Sequence, residues 1–429
     1  MATPRIAFHD TAGKFGPMLD LRVAAELRSG VRCNYQRLGV ASLCAPKEWT
    51  TLLEQRTGLP VNELAAGESF MFLSGRLMEV PSSLDSLAVG HAMTDSADGS
   101  IVAAHLSRKA AEHFIAGHAF DSKLKTTPRI DLSILRRPWD LLEADGFARR
   151  MASDAKATHE AWKQSGELAK PDKLVAITGE VHIHATAEIG KFVVLDASEG
   201  AIVIGPRAHI GHHAVIVGPT SIGEDTHIAA HATIKTRTVI GPRCKVGGEV
   251  GSLIMQGNSN KTHDGHLGDA IVGSWVNLGA GTLNSNLLNT YAEVSMQLGA
   301  GEAAESTGRV FMGCVIGDHV KTAIGTRIMT GCVLGTGSMI ASSTPPSLYT
   351  ERFTWRTDAG EEMYRLDKFL SVAEIVMARR QTEMSPQERA LITQLHAKAV
   401  ASRHASSVSL GTAAETPTAP TSASHSARK

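Results

Sequence analysis

The sequence has no excess of either charge and no long apolar run. Lys plus Arg and Asp plus Glu each number 43 among 429 residues, so no basic or acidic field exists that would hold nucleic acid or an anionic membrane surface. No stretch approaches the roughly 18 uninterrupted apolar residues of a membrane span, and residues 1–10, MATPRIAFHD, lack the apolar run of a signal peptide. We therefore expect a cytoplasmic protein that binds neither nucleic acid nor membrane.

Cysteine is scarce and does not occur in C-x-x-C pairs. The five cysteines are Cys33, Cys44, Cys244, Cys314 and Cys332. An odd number without such pairs argues against both a disulfide framework and a zinc knuckle. We expect reduced thiols that serve as small core residues, and no resident metal ion.

A strict period of six dominates the middle of the chain. Aliphatic residues recur at Ile204, Ile210, Ile216, Ile222, Ile228, Ile234, Ile240 and Val246, and a small residue usually stands four positions after each. An α-helix needs apolar residues three and four apart and a strand needs them two apart, so the period fits neither. It fits short strands joined by corners, three to a coil of 18 residues, stacked into a parallel β-helix.

The composition changes on both sides of this repeat and predicts five segments. Residues 1–133 mix strand-like and helical runs typical of an α/β domain, and residues 134–172 form a helical connector. The β-helix should span residues 173–345 and stop before Pro346. Residues 346–403 form a helical extension, and residues 404–429, rich in Ser, Ala and Thr, form a disordered tail.

The hexad rule fails between Val250 and Val272. Residues 256–266 read QGNSNKTHDGH, a polar run from which a solenoid gains nothing structurally. A loop that serves a functional site is one interpretation, and a solvated insertion is the other. The residues that follow, LGDAIVGSWVNLGAGTLNSN, place further amides beside the same break.

This stretch resembles the active-site signature of the bifunctional UDP-N-acetylglucosamine pyrophosphorylase/glucosamine-1-phosphate N-acetyltransferase family. The matching elements are His263, the LGDA sequence at residues 267–270, the NLGAGT sequence at residues 277–282, and Asn286. The resemblance covers about residues 174–345. It implies a left-handed coil, a homotrimer, acetyl-CoA as co-substrate and an amino-sugar phosphate, with glucosamine-1-phosphate expected, as acceptor.

The resemblance also implies roles for individual side chains. His263 is the general base that takes a proton from the sugar amine, and Glu249 orients it; an imidazole suits this role because it titrates near neutral pH. Lys235 stands at a phosphate-binding position, Lys261 offers a second charge, and His266 replaces the family's tyrosine. Two asparagines, Asn277 and Asn286, match positions that contact sugar and coenzyme, and Ala280 matches a coenzyme position.

Two other functions are left open. His209 and His227 are 18 residues apart, as are His213 and His231, so each pair should stack on neighbouring coils. Hexapeptide-repeat carbonic anhydrases hold zinc with histidines on such faces, although Val217 stands where their second ligand should be. A non-catalytic trimeric scaffold is the third possibility.

The N-terminal segment resembles a divergent branch of sugar nucleotidyltransferases. Residues 17–30, PMLDLRVAAELRSG, and residues 136–142, RRPWDLL, match its landmarks. The resemblance makes Arg22 and Arg28 candidates for triphosphate binding, with Mg²⁺ and a nucleoside triphosphate as cofactors. The chain lacks the G-x-G-T-R-M phosphate loop, and Val23 replaces the proline expected after Arg22, so a domain that kept its fold and lost its activity is the alternative.

Overall fold

The computed structural model describes residues 3–169 and 172–412 of the chain. The N-terminal domain is a mixed six-stranded sheet of order β2-β1-β3-β5-β4-β6 with three helices. Its strands are β1 (Arg5–Phe8), β2 (Ser42–Cys44), β3 (Ser69–Ser74), β4 (His91–Asp95), β5 (Ile101–Ser107) and β6 (Lys125–Arg129), and its helices are α1 (Asn34–Leu38), α2 (Thr50–Thr57) and α3 (Arg108–Ile115). The predicted α/β class of this domain is confirmed.

The connector contains helix α4 (Ala144–Ser165). The Glu143 carboxylate accepts hydrogen bonds from the amides of Asp145 and Gly146 at the first turn, at 2.9 and 2.6 Å. The helix ends at Gly166, whose φ of 74° is the left-handed conformation typical of a C-terminal cap. Ala155 of α4 packs on the solenoid at Ala201 and Val203.

The predicted β-helix is present as a parallel β-solenoid. Its strands are β7 (Ala176–Ile183), β8 (Glu188–Ile189), β9 (Val194–Ile204), β10 (His209–Ile210), β11 (Val215–Val217), β12 (Thr220–Ile222), β13 (His227–Ile228), β14 (Thr233–Ile234), β15 (Thr238–Ile240), β16 (Lys245–Val246), β17 (Glu249–Gly257), β18 (Asn260–Lys261), β19 (His266–Ser274), β20 (Leu283–Asn284), β21 (Ser295–Met296), β22 (Glu305–Ser306), β23 (Cys314–Ile316), β24 (Lys321–Thr322), β25 (Arg327–Ile328), β26 (Cys332–Leu334), β27 (Met339–Ala341), β28 (Tyr349–Thr350) and β29 (Thr354–Thr357). Only β21 and β22 pair antiparallel within this set, as an excursion from the coils. The hexad aliphatics are buried inside.

The solenoid has three faces that matter for the site. The first face stacks β10, β13, β16 and β18. Strands β17 and β19 each extend over two faces. Their first residues stack on β14 and form the second face, and their later residues stack on β15 and form the third face. The N-terminal domain covers the third face, where Met18, Trp139 and Phe147 join a buried cluster with Ile254 and Ile271.

Two of the predicted boundaries need correction. The solenoid runs past Pro346, because β28 pairs in parallel with β26 and β29 with β27, and the prolines occupy the connection between β27 and β28. The strand β30 (Gly360–Met363) then pairs antiparallel with β29 and ends the stack. Helices α5 (Leu366–Ala378) and α6 (Pro386–Thr412) follow.

The helical extension reaches further than predicted. Helix α6 continues through residues 404–412, which the composition predicts to be part of a disordered tail. Residues 413–429 lie outside the described residues. Among the helices that the structure describes, none is both long and apolar enough to cross a membrane.

Candidate functional site

Three charged or titratable side chains meet on the second face and form what we call the Glu249 cluster: Lys235, Glu249 and His266. Backbone register places Glu249 directly beneath His266 and opposite Thr233, which lies two residues before Lys235 on the neighbouring strand. The Lys235 ammonium forms an ion pair with Glu249 Oε1, and His266 Nδ1 lies 3.2 Å from the same oxygen. All three side chains are partly exposed, so the cluster is accessible from solvent.

A glycine makes this arrangement possible. A Cβ atom at Gly251 would lie 2.7 Å from Lys235 Cβ, so only the absence of a side chain lets Lys235 cross toward Glu249. The hydrogen bond from Lys235, the largest influence on it, lowers the pKa of the Glu249 carboxyl. Glu249 is therefore a carboxylate between two basic groups.

The predicted partner of Glu249 needs correction. We expected Glu249 to orient His263, but its imidazole contact is with His266. The reason is register: Glu249 and His266 occupy the same outward position on consecutive coils, whereas His263 precedes the strand and lies on a corner. Glu249 contacts the ring of His266 through Nδ1, and Nε2 of the same ring lies over Gly268.

His263 is exposed on the corner between β18 and β19, where the first face turns into the second. This corner packs directly on the glycines of the preceding coil. Gly248, with a φ of 69°, is close enough that a Cβ there would lie 2.9 Å from Asp264 Cα and 3.0 Å from the His263 carbonyl oxygen. The predicted base thus stands at an edge of the solenoid, on the corner that leads into His266 of the Glu249 cluster.

Lys261 does not occupy the outward position that we expected of a phosphate ligand. Its register partner is Val246, an inward residue, and only 2% of its surface is exposed. The ammonium donates a hydrogen bond to the Gly247 carbonyl at 3.1 Å and another to the His263 carbonyl. Lys261 therefore points into the solenoid core and away from any bound sugar phosphate.

The buried lysine predicts a pH-dependent stability difference. Burial lowers the pKa of Lys261 to about 8, whereas an unfolded lysine titrates near 10.5. The unfolded chain therefore binds more protons between these values, and the stability of the parent relative to Lys261→Met should rise by on the order of 1 to 3 kcal/mol from pH 8 to pH 10.5. Thermal unfolding of both proteins across this range measures it, and a constant or falling difference would contradict it.

Asn286 approaches His266 across a second glycine. A Cβ atom at Gly268 would lie 2.5 Å from His266 Nε2 and 3.4 Å from Asn286 Nδ2, so both groups converge over this bare position. Asn286 Nδ2 donates to Asp269 Oδ2 at 2.7 Å. The other oxygen of Asp269 is buried without a partner among the described residues. Sequence reasoning missed Asp269, although it lies within the LGDA motif.

Asn277 and Ala280 lie apart from the Glu249 cluster. Asn277 continues the first face, where its Oδ1 accepts a hydrogen bond from Asn260 Nδ2 at 3.1 Å. The carbonyl of Ala280 accepts the Gly325 amide at 2.7 Å in the next corner. The corner that carries His263 thus separates the Asn277 surface from the Glu249 cluster.

Both candidate arginines of the N-terminal domain make contacts within the protein. Arg22 is buried and forms an ion pair with Asp318 of the solenoid, with a further contact to Ser274 Oγ at 3.3 Å. The Arg28 guanidinium donates to the Val31 carbonyl, and its main chain exchanges hydrogen bonds with the Gln256 amide at 2.8 and 3.2 Å. Both residues join the domain to the solenoid, and their nucleotide role stays a prediction.

The histidine pairs stack as predicted. The rings of His209 and His227 are 4.6 Å apart with planes inclined by 14°, and those of His213 and His231 are 5.0 Å apart and parallel to within 1°. Within one chain, as far as the structure describes it, no three His, Cys, Asp or Glu side chains are grouped to hold a metal ion. The stacked rings are therefore not a complete zinc site in the single chain.

Comparisons with known proteins place this geometry in context. The family model described as bacterial transferase hexapeptide (six repeats) matches residues 201–236. The chain is 30% identical over 227 residues to the bifunctional protein GlmU of Methanococcus vannielii, which covers 52% of this chain and 46% of the relative. It is 36% identical over 101 residues to a bifunctional sugar-1-phosphate nucleotidylyltransferase/acetyltransferase of Sulfurisphaera tokodaii, covering 23% and 24% of the two chains.

Solved structures of acyltransferases also align with the chain. The UDP-N-acetylglucosamine acyltransferase of Francisella novicida aligns at 17% identity with a TM-score of 0.29, over 51% of this chain and 75% of that one. The chain spans about half the length of the curated GlmU relatives that it matches. Over about half of its length the chain is therefore similar to GlmU proteins, and residues 201–236 of its solenoid match the bacterial transferase hexapeptide model.

Proposed function

We propose that the protein is an N-acetyltransferase that moves an acetyl group from acetyl-CoA to the amine of an amino-sugar phosphate, with glucosamine-1-phosphate as the acceptor. The observation that carries the proposal is the position of the exposed His263 on the corner that leads directly into His266 of the Glu249 cluster. In this proposal the corner supplies the base, and the strand that follows it supplies part of the phosphate-binding surface. The relative named as a bifunctional sugar-1-phosphate nucleotidylyltransferase/acetyltransferase supports the same reaction class.

The reaction needs one proton acceptor and no redox partner. The neutral sugar amine attacks the thioester carbonyl carbon, a C–N bond forms, and the tetrahedral intermediate then breaks its C–S bond. His263 takes the proton that the amine loses, and the coenzyme A thiolate leaves and is protonated in turn. Asn286 and Ala280 are proposed to contact the coenzyme, and Asn277 and Asn286 the sugar.

The Glu249 cluster is proposed to hold the phosphate. The Lys235 ammonium and the His266 imidazole contact one oxygen of Glu249, which holds both groups on the face where the phosphate is proposed to bind. Glu249 orients His266 in this account and has no direct part in the proton transfer. Lys261 is excluded from phosphate binding by its inward orientation.

Loss of the phosphate contact should appear in KM. Lys235→Ala should raise KM for glucosamine-1-phosphate by about tenfold, because a phosphate ion pair of on the order of 1.4 kcal/mol is removed. KM for glucosamine, which lacks the phosphate, should hardly change. Lys245→Ala, an exposed lysine on the neighbouring face, is the control, and an equal effect of both variants would contradict this assignment.

The oligomeric state is also a proposal. Closed symmetry would cover the open faces of the solenoid, and a homotrimer is the state that the family resemblance implies. The first and second faces are free of the N-terminal domain, so a neighbouring copy could approach His263. Nucleotidyl transfer with Mg²⁺ is not part of the proposed function, since Arg22 and Arg28 are engaged in contacts with the protein itself.

A thiol-release assay tests the proposed function. Purified protein, acetyl-CoA and glucosamine-1-phosphate should release free coenzyme A. Glucose-1-phosphate, which lacks the amine, should not support release. Zinc content measured on the same sample tests the alternative of a carbonic-anhydrase-like zinc enzyme. A protein with neither transferase activity nor zinc would favour the non-catalytic trimeric scaffold.

A further inference from the structure

Lys261 is an anomaly in the column of inward residues that it belongs to. Register places it between Val246 and Leu278, in a column whose earlier members are Ile210 and Ile228. Every coil below therefore presents an aliphatic side chain here, and this coil presents an ammonium. A buried cation costs free energy that an aliphatic residue would not, so the position gains no stability from lysine.

The hydrogen bonds of Lys261 explain what the lysine can do. Its ammonium binds the carbonyl of Gly247 at 3.1 Å and the carbonyl of His263 on the next coil. The two carbonyls belong to consecutive corners, so the ammonium joins the corner that carries His263 to the one beneath it. No other side chain described in the structure makes a hydrogen bond to the His263 main chain.

Hydrogen bonds add little to the packing that holds this corner on the glycines of the preceding coil. Residues 262–265 form no strand, and His263 and Asp264 are both exposed. The neighbouring amide bond from Glu249 to the Gly265 carbonyl is long, at 3.4 Å. The predicted orienter Glu249 contacts His266 instead, so it does not restrain His263.

We propose that Lys261 is a positioning residue that holds the His263 corner in the geometry required for proton transfer, acting from inside the solenoid. The inference rests on the proposed function, since it assigns a role in that reaction. Lys261 touches neither substrate nor coenzyme and acts through the backbone of His263. A displacement of a base by about 1 Å can cost on the order of 10²-fold in rate. Loss of the single hydrogen bond from Lys261 to the His263 carbonyl is therefore sufficient to lower kcat measurably.

Lys261→Met is the test variant, because methionine fills the same volume and restores an apolar residue to the column. Thr226→Val is the matched control: the Thr226 hydroxyl also ties two coils together from inside, donating to the Gly241 carbonyl at 2.8 Å and accepting the Cys244 amide at 3.1 Å. Thr226 lies two coils away from Lys261 along the first face. Lys261→Gln, which keeps a shorter donor, is a second variant in case methionine prevents folding.

Two readouts are measured on the full chain. Lys261→Met should lower kcat for acetyl transfer by about 10- to 100-fold with KM for glucosamine-1-phosphate nearly unchanged. Hydrogen exchange of the peptide that covers residues 262–265 should become at least about tenfold faster in Lys261→Met. Thr226→Val should change neither, even if its melting temperature falls.

The possible results separate the two claims. An active parent in which Lys261→Met keeps parental kcat, or parental exchange at the corner, overturns the positioning role. A parent without acetyl transfer refutes the proposed function, and the exchange result alone then decides whether Lys261 holds the corner. Faster exchange together with lower kcat, both absent from Thr226→Val, supports the inference.

Discussion

Replacing His263 with alanine should lower kcat for acetyl transfer by about 10²- to 10⁴-fold, the usual contribution of general base catalysis. The binding of acetyl-CoA should change little, because the imidazole acts on the sugar amine. His263 is exposed on a corner, so its loss leaves no cavity and the melting temperature should stay close to that of the parent. Initial rates at saturating substrates, with a thermal melt of each protein, provide the measurement.

The chain offers a matched control for this variant. His231 is also an exposed histidine on the corner between the first and second faces, two coils below His263. His231→Ala should keep parental kcat. His266→Ala should cost less than His263→Ala and act mainly on KM, since His266 is assigned to phosphate binding. If His266→Ala were the more damaging to kcat, the Glu249–His266 pair would be the base and His263 would not.

The second large effect is expected on stability. Arg22→Ala should destabilise the protein by about 3–5 kcal/mol, because it leaves the carboxylate of Asp318 buried without its cation. The ion pair joins the N-terminal domain to the solenoid, so the change should also loosen the two parts from each other. Urea unfolding followed by fluorescence measures the loss.

A surface ion pair serves as the comparison. Arg207 pairs with Glu224 and Asp225 on the outside of the solenoid, where all three side chains are exposed to a large extent. Arg207→Ala should destabilise the protein much less than Arg22→Ala, because solvent screens an exposed ion pair. An equal loss in both variants would mean that burial at the domain junction is not what makes Arg22 important.

The fold was predictable because its repeat is explicit in the sequence. Aliphatic residues recur every six positions from Ile204 to Val246, a period that fits a triangular coil. The structure buries these aliphatic side chains, as predicted. The sequence predicts that the solenoid ends before Pro346, whereas the structure pairs two further strands beyond this proline. A proline in a connection between strands removes no ladder hydrogen bond, so the coils continue to Thr357.

The site was predictable in composition but not in its pairings. After Val246 the coils shorten, so that Val246 pairs with Lys261 fifteen residues on, and Val250 with Leu267 seventeen residues on. Because these coils are shorter than 18 residues, Lys261 falls at an inward position and Glu249 lies under His266. A strict count of six cannot show such a slip, whereas the strand pairing of the folded chain defines it.

The polar run at residues 256–266 illustrates the same limit. It was expected to form either a functional loop or a solvated insertion, yet it contains strand β18 and continues the solenoid wall. The buried Ser259 hydroxyl lies within hydrogen-bond distance of the Gly257 and Gly273 carbonyls, to either of which it can donate, and it accepts the Val276 amide. Polar residues fit here because main-chain groups at the corners provide their partners.

The most direct test of the account is product analysis with glucosamine-1-phosphate and acetyl-CoA. The parent protein should form the N-acetylated sugar phosphate and free coenzyme A in equal amounts by mass spectrometry, and His263→Ala should form it at least about 10²-fold more slowly while His231→Ala matches the parent. Parental product formation by His263→Ala, or no acetylated sugar from the parent at any substrate concentration tested, would contradict the account.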